Sequence, residues 1–514
     1  MTGGRPPLVI LGLDVGDADA IERWAGEGHL PTIAGLMERG VWGRTGGPEL
    51  VCEYGAGLTL FSGVSRRDHG HYYFRELVPG SYEIRQVHPP VDRAAPFWSH
   101  LRQRGDRVLV ADVPDLRPVS GLPGVQLANW ATHHGFRLPP EAEPPEALET
   151  ARRFLGPRVP VHSSPDSKLE DDLRFHRMLL ESIGRTGALY RELLSGGSFD
   201  LAVLFFSETH NATHQFWNYR PEGVGAYPET HPLRNGIRDA YAAVDAEMAQ
   251  LLQIAPEEAN VVVLSLYGMR DESPVSTLIE SFLEALGYHV LGAPSDGGTR
   301  GRRSWDPVEL ARRLVPDSLR YAISRRLPEG MQDRLLASHL RDSTDWSRTT
   351  AFAIPALYTS FVRINLRGRE PRGIVAPGAE YEALLARLEA DLALLVDADT
   401  GASAVRRVDR TTELFGGGPP EALPDLFVEW EPGPRMLATI RHPRATLIQR
   451  RPVFCQNSSE ILSGFVAAAG PGIARSGPLG DVDLLDLAPT FLALLGHAPP
   501  GTMRGRPLAS LLAE

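Results

Sequence analysis

Apolar positions along this chain fall into short dense runs divided by polar, glycine-containing stretches. Leu8 to Leu13, Leu201 to Phe206 and Val261 to Met269 are runs of that kind. Such runs suit strands buried on both faces of a parallel sheet. Between them the spacing turns helical. Asp17 to Asp19 can cap a helix that includes Ile21 and Trp24, and LPTIAGLMERG keeps helical spacing with Gly40 as its stop. VWGRT begins a second strand, and Ala95 to Pro114 reads as a helix, Gly105 and a buried strand from Arg107 to Val113. From about Leu233 to Leu252, Tyr241, Val244, Met248 and Leu251 predict a further helix. Strands alternating with helices predict an α/β fold with a mostly parallel sheet sandwiched by helices. The rhythm weakens over 122–194 and again over 291–350, where MQDRLLASHLRD is a helical piece in an Arg-, Asp-, Pro- and Gly-rich stretch. Both are expected as cap insertions, leaving a core in three parts, 1–121, 195–290 and 351–514.

Composition narrows the classes. The 514 residues are 42% apolar and 23% charged, enough for a large core. The formal net charge is −11 with no Lys/Arg block, which disfavours nucleic acid as a partner. Only Cys52 and Cys455 occur, so no disulfide framework or zinc ribbon is built, and a reducing compartment is expected. The amino terminus lacks the cationic and long apolar regions of a signal peptide, and no run approaches the roughly 20 residues of a spanning helix. The expected location is the cytoplasm, with no membrane contact.

Chemistry is expected just beyond the carboxyl ends of the buried strands. His210 and His214 follow Phe206 there. On a helix such an i, i+4 pair shares a face about 5–6 Å apart, close enough to grip one metal ion. The pair alone is equally compatible with ordinary core histidines. Asp14 ends the first run and is either a turn or capping residue or a metal ligand. His133 and His134, in a loop-like stretch, read as solvated.

The stretch from Cys52 to Gly70, CEYGAGLTLFSGVSRRDHG, together with Leu8 to Asp14 and the closing DVDLLDLAPTFLALLGHAPPGTMRGRPL, resembles the type I phosphodiesterase/nucleotide pyrophosphatase group of the alkaline phosphatase superfamily. Ser62-Gly63 and His69-Gly70 match its motif, with Arg66 near the place of the usual Pro. The resemblance covers roughly 7–115, 195–290 and 350–510 and implies an alkaline phosphatase-like fold. It also implies two metal ions and a Ser or Thr nucleophile ten residues before Gly63. At that place stands Glu53, with Cys52 beside it, so a one-residue slip would present a thiol. The Asp-His pair expected before Gly268 is replaced by Leu266 and Tyr267. Counting four residues back from Gly464, the place of the last metal histidine holds Glu460, with Asn457 and Cys455 as alternative third ligands in the same loop.

Carried over residue by residue, one metal set becomes Asp14, Glu53, Leu266 and Tyr267, and the other becomes His210, His214 and Glu460. Two imidazoles and a carboxylate form a competent set for one Zn, Fe or Mn ion. The expected function is a metal-dependent enzyme with a remodelled, mononuclear site that acts on a small phosphate-, phosphonate- or sulfate-like anion. Glu53 is its expected catalytic base and His69 or Tyr267 a supporting residue. Fe(II)-dependent oxygenase or lyase chemistry, or an inactive protein binding an anionic ligand or partner, are the alternatives.

Overall fold

The computed structural model describes residues 5–513 apart from 53, 88–89, 91, 115, 131–138, 157–166, 222–226, 273–274, 276, 293–342, 434, 450–456, 462 and 476. The chain divides into two compact units. The first comprises Met1–His69, Pro89–Asp271 and Gln456–Glu514, and the second Gly70–His88 and Glu272–Cys455.

In the first unit the elements that matter for the site are β1 (Leu8–Val15), α1 (Ala18–Gly26), β2 (Val41–Gly46), α2 (Ala56–Ser62), β3 (Val108–Ala111), β4 (Gly124–Ala128), β5 (Glu141–Glu143), α3 (Leu169–Ser195), β6 (Leu201–Phe206), α4 (Glu208–Phe216), α5 (Gly236–Leu252), β7 (Asn260–Asp271), β8 (Ser458–Ile461), β9 (Phe465–Ala469), β10 (Gly477–Asp483) and α6 (Leu484–Leu494). The strands form one sheet in the order β10-β2-β9-β7-β1-β6-β3-β4-β5, with β8 paired to β7 off that path. β1 is central and parallel to both neighbours, Leu8 lying level with Leu201 of β6 and Asn260 of β7. Every residue of β1 and β6 is buried, which is why their sequences are unbroken apolar runs and not alternating ones. Gly12 is required where it stands, because a Cβ there would come within 2.3 Å of the Phe205 ring on the adjacent strand. α1 is capped as its sequence suggests, the Asp17 carboxylate accepting from the Ala20 amide at 2.9 Å.

The weak rhythm of 122–194 conceals two elements of this unit. β4 extends the parallel sheet beside β3, and α3 runs for 27 residues with Phe175, Leu179, Ile183 and Tyr190 buried. A cap insertion over 122–194 is therefore not what forms there. The helical signal is diluted because α3 also buries Ser182 and Thr186, whose hydroxyls donate to the Glu208 carboxylate of α4 at 2.9 and 2.7 Å. A polar stripe on a buried face defeats an apolar count.

The sheet does not resume at Ala351 either. Ala351–Ile354 opens a separate four-stranded antiparallel sheet with Ser360–Ile364, Leu426–Trp430 and Val405–Arg410, which belongs to the second unit. That unit has its own core around Phe282, Val362, Leu385 and Trp430. A buried ion pair, Arg369 Nη2 to Asp425 Oδ2 at 2.6 Å, adds to it. Three of its four strands are short and fully or largely buried, so nothing in their pattern distinguishes them from strands of the first sheet; Val405–Arg410 is largely exposed or half-buried. The segment MQDRLLASHLRD and most of the expected second insertion lie outside the described residues. Among the described residues no helix is long and apolar enough to cross a membrane.

One glycine tests the tight seam between β7 and β9. A Cβ on Gly464 would lie 2.3 Å from the Ser265 carbonyl oxygen, while its own amide donates to Thr45 Oγ1 at 2.7 Å. Gly464→Ala is expected to destabilise the protein by about 1–3 kcal/mol, as overpacking of a filled core does. The measurement is the urea midpoint at unchanged slope; an unshifted midpoint would show that the seam can spread.

Candidate metal centre

α4 follows β6 after a single residue, so its first turns stand at the carboxyl edge of the sheet. Glu208 in the first turn suits the positive end of the helix dipole, and burial pushes its carboxyl pKa up. The helical spacing then places His210 and His214 side by side, with ring centroids 4.7 Å apart. Glu460 reaches them from β8, a strand that exists because β7 runs on past β1. β1 pairs with β7 as far as Tyr267, and β8 pairs with β7 from Gly268 to Asp271.

One oxygen serves both rings. Glu460 Oε1 lies 3.2 Å from His210 Nε2 and 3.1 Å from His214 Nε2, and the side chains of all three are nearly buried. The donor atoms of the three residues all fall within 4.8 Å of one another. The outer nitrogen of each ring faces a polar group. His214 Nδ1 meets Ser458 Oγ at 2.9 Å, and His210 Nδ1 stands 3.5 Å from Asp14 Oδ2. Burial pushes the His214 pKa down, against the pull of Glu460.

The other sequence candidates are placed as follows. Asp14 is fully buried at the end of β1 and faces the back of His210, outside the three-donor cluster. Leu266 is buried and points toward α2, where a Cβ on Gly57 would lie 3.5 Å from its Cδ1. Tyr267 is buried on β7 and is not a member of the cluster. Cys52 is buried with its sulfur accepting from Arg66 Nη1 at 3.0 Å. The same guanidinium donates to the carbonyls of Glu49 and Tyr54, so Arg66 clasps the chain on both sides of position 53. His69 is a buried partner of α2, its Nε2 3.0 Å from Thr59 Oγ1. Asn457 is half-buried just before β8, and the group that touches His214 is its neighbour Ser458. Glu53 and Cys455, like the paired histidines 133 and 134, lie outside the described residues.

Ser458 is the residue that sequence reasoning missed. Its signal was available, because Ser458 and Glu460 are two apart on a strand and so share a face. What was lacking was a reason to expect a strand in FCQNSSEIL, whose partner is the unusual overhang of β7.

The chain belongs to the type I phosphodiesterase / nucleotide pyrophosphatase family, whose model matches residues 8–433. That match ends before the strand carrying Glu460. Phosphonoacetate hydrolase from Sinorhizobium meliloti 1021, in complex with phosphonoformate, aligns with a TM-score of 0.51 and 14% identity over 95% of each chain. Murine ectonucleotide pyrophosphatase / phosphodiesterase 5, an inactive form in complex with AMP, aligns with a TM-score of 0.48 and 11% identity over 99% of this chain and 100% of its own. The human form gives the same figures. No curated protein sequence matches this chain.

The lowered His214 pKa gives a pH signature. A neutral imidazole is favoured in the fold, so its contribution to stability is complete above the unfolded value of about 6.5 and is lost as pH falls through the lower folded value. Chelator-treated protein is expected to lose stability below about pH 6.5, and His214→Gln to lose less over the same range. Urea midpoints measured for both proteins at a series of pH values check this; parallel profiles would remove His214 as the source.

Proposed function

We propose that this chain is a metal-dependent enzyme that holds one divalent ion through His210, His214 and Glu460. Its proposed substrate is a small phosphate-, phosphonate- or sulfate-like anion. The observation that carries the reading is the single Glu460 oxygen standing 3.1–3.2 Å from two Nε2 atoms. Donors about 2.0–2.1 Å from a tetrahedral ion are themselves about 3.3 Å apart, so these two edges already have the spacing of a ligand set. The charge fits as well. Two carboxylates, Asp14 and Glu460, converge with two imidazoles in a nearly closed site, and a divalent cation would balance them. The second site of the family does not fit, because a buried Leu266 replaces one of its expected donors.

A divalent ion bound there supplies Lewis acidity toward an anionic oxygen or a water molecule. The protein's own groups prepare the site. Ser458 holds the ring plane of His214 from behind, as outer partners of metal-bound histidines do, and Asp14 places a carboxylate 3.5 Å behind His210. Glu53, two residues before Gly55 in the sequence, is assigned as general base. With no Ser or Thr there, transfer through a conventional phospho-Ser or phospho-Thr is not available, and direct attack by water is the reaction assigned. Family membership supports the substrate class.

Metal content by mass spectrometry, on protein purified without chelator, is expected to be close to one equivalent and to vanish in His210→Ala. Two equivalents, or none, would overturn the mononuclear site. An iron-loaded protein whose activity needs oxygen would transfer the same donor set to oxygenase chemistry. Glu53→Gln is expected to reduce turnover about 10²–10⁴-fold with metal retained. Loss of metal in that variant would make Glu53 a ligand, and unchanged turnover would remove it from the mechanism.

A further inference from the structure

The first unit holds a cavity of about 540 Å³ beside the three-donor cluster but not containing it. Its size lies in the range of small-molecule pockets. It is lined by Ala20 and Trp24 of α1 with Glu27 just after that helix, and by Trp217, Arg220 and residues at the start of α5. Thr213, Tyr241 and Met269 also line it.

Two features of the lining select a ligand. The first is charge. Of the acids around the cavity, Asp19 is engaged by Arg44 at 2.5 Å, the Asp17 carboxylate caps α1, and Glu27 stands 3.7 Å from His29 Nε2. Asp271 accepts from Arg220 Nη2 at 2.8 Å and Trp217 Nε1 at 2.9 Å. The cations at the start of α5 are less compensated. Arg234 makes no ion pair among the described residues and donates to the Tyr227 carbonyl at 3.4 Å, while the nearest carboxylate to Arg238 is Asp239 at 3.6 Å. The second feature is flat apolar surface. Trp24 is held edge-on against Tyr241 at 5.1 Å, and Trp217 is fixed by the Arg220 guanidinium 3.7 Å from its ring centroid. Guanidinium groups beside rigid indoles bind an anionic head joined to a planar body, the head by charge-assisted hydrogen bonds and the body by stacking.

None of the three metal donors lines the cavity. Trp217 follows Thr213 by one helical turn, and Asp271, bonded to it, sits opposite Ser458 in the β7–β8 ladder. Ser458 in turn backs His214. The Trp217–Asp271 pair thus links the lining of the cavity to the residue behind His214.

We propose that this cavity is a second ligand site, which takes a small organic anion with an aromatic or heteroaromatic body and does so independently of the metal.

The test is calorimetric titration of the full-length protein, as purified and again after chelation, with phenylphosphonate and with inorganic phosphate. One phenylphosphonate site is expected to persist after chelation with a Kd at least about tenfold lower than that of phosphate, any further binding in the protein as purified belonging to the metal site. The Arg234→Ala/Arg238→Ala double variant and Trp24→Ala are each expected to weaken the persisting site about tenfold or more, and His210→Ala to leave it within about twofold. Should the double variant fail to fold by circular dichroism, Arg234→Gln, at a partly exposed position, reads the same quantity. Equal affinity for the two anions, affinity lost with the metal or in His210→Ala, full affinity in the arginine variants, or no binding of phenylphosphonate would each overturn the proposal. Because the titration is read without metal, failure of the mononuclear site leaves its outcome unaffected.

Discussion

The candidate site depends on one carboxylate oxygen held between two imidazoles that arise 246 and 250 residues earlier in the chain. Such a contact cannot come from local propensity. It is produced by the length of β7, which pairs with β1 for most of its course and then overhangs the sheet far enough to take β8 as an antiparallel partner. The overhang fixes Ser458 and Glu460 on one face, level with α4. Registry along a strand is quantised in two-residue steps, so a slip of one residue in this short ladder would turn both side chains away from the histidines.

The parallel core was legible because each of its central strands is buried on both faces and therefore written as a continuous apolar run. The His210/His214 pair was legible because it stands directly after such a run, where α/β sheets place their ligands. Elsewhere burial and polarity part company. α3 buries Ser182 and Thr186 against Glu208, and that polar contact between two helices reads, in the sequence, as the edge of a loop. The short strands around Ala351 and Leu426 carry no mark of which sheet they join, since sheet membership is decided by partners distant in the chain.

Ser458 and the orientation of Asp14 show a different limit. Both residues act on a ring nitrogen that faces away from the proposed ion, and a ligand count along the sequence registers donors without their backing groups. Leu266 was visible as a loss, but only the structure places it against Gly57 of α2, where an apolar side chain fills space in a packed wall.

The substitutions fit together once these positions are known. The family resemblance implies an acid at 210 and a second cation near Asp14. With Leu266 in the second set, that cation loses a donor, and an acid at 210 would then face the buried Asp14 across a site of low dielectric, where like charges are costly. Histidine at 210 removes the repulsion, since its Nδ1 turns toward Asp14 while its Nε2 turns toward Glu460. In the proposed ligand set a carboxylate stands at 460 where the resemblance implies one at 210, which would keep the donor charge while changing its distribution. Under the proposed one-ion reading, the histidine at 210 gives Asp14 a partner that a second ion would otherwise have been, and His210, His214 and Glu460 remain as three donors for one ion.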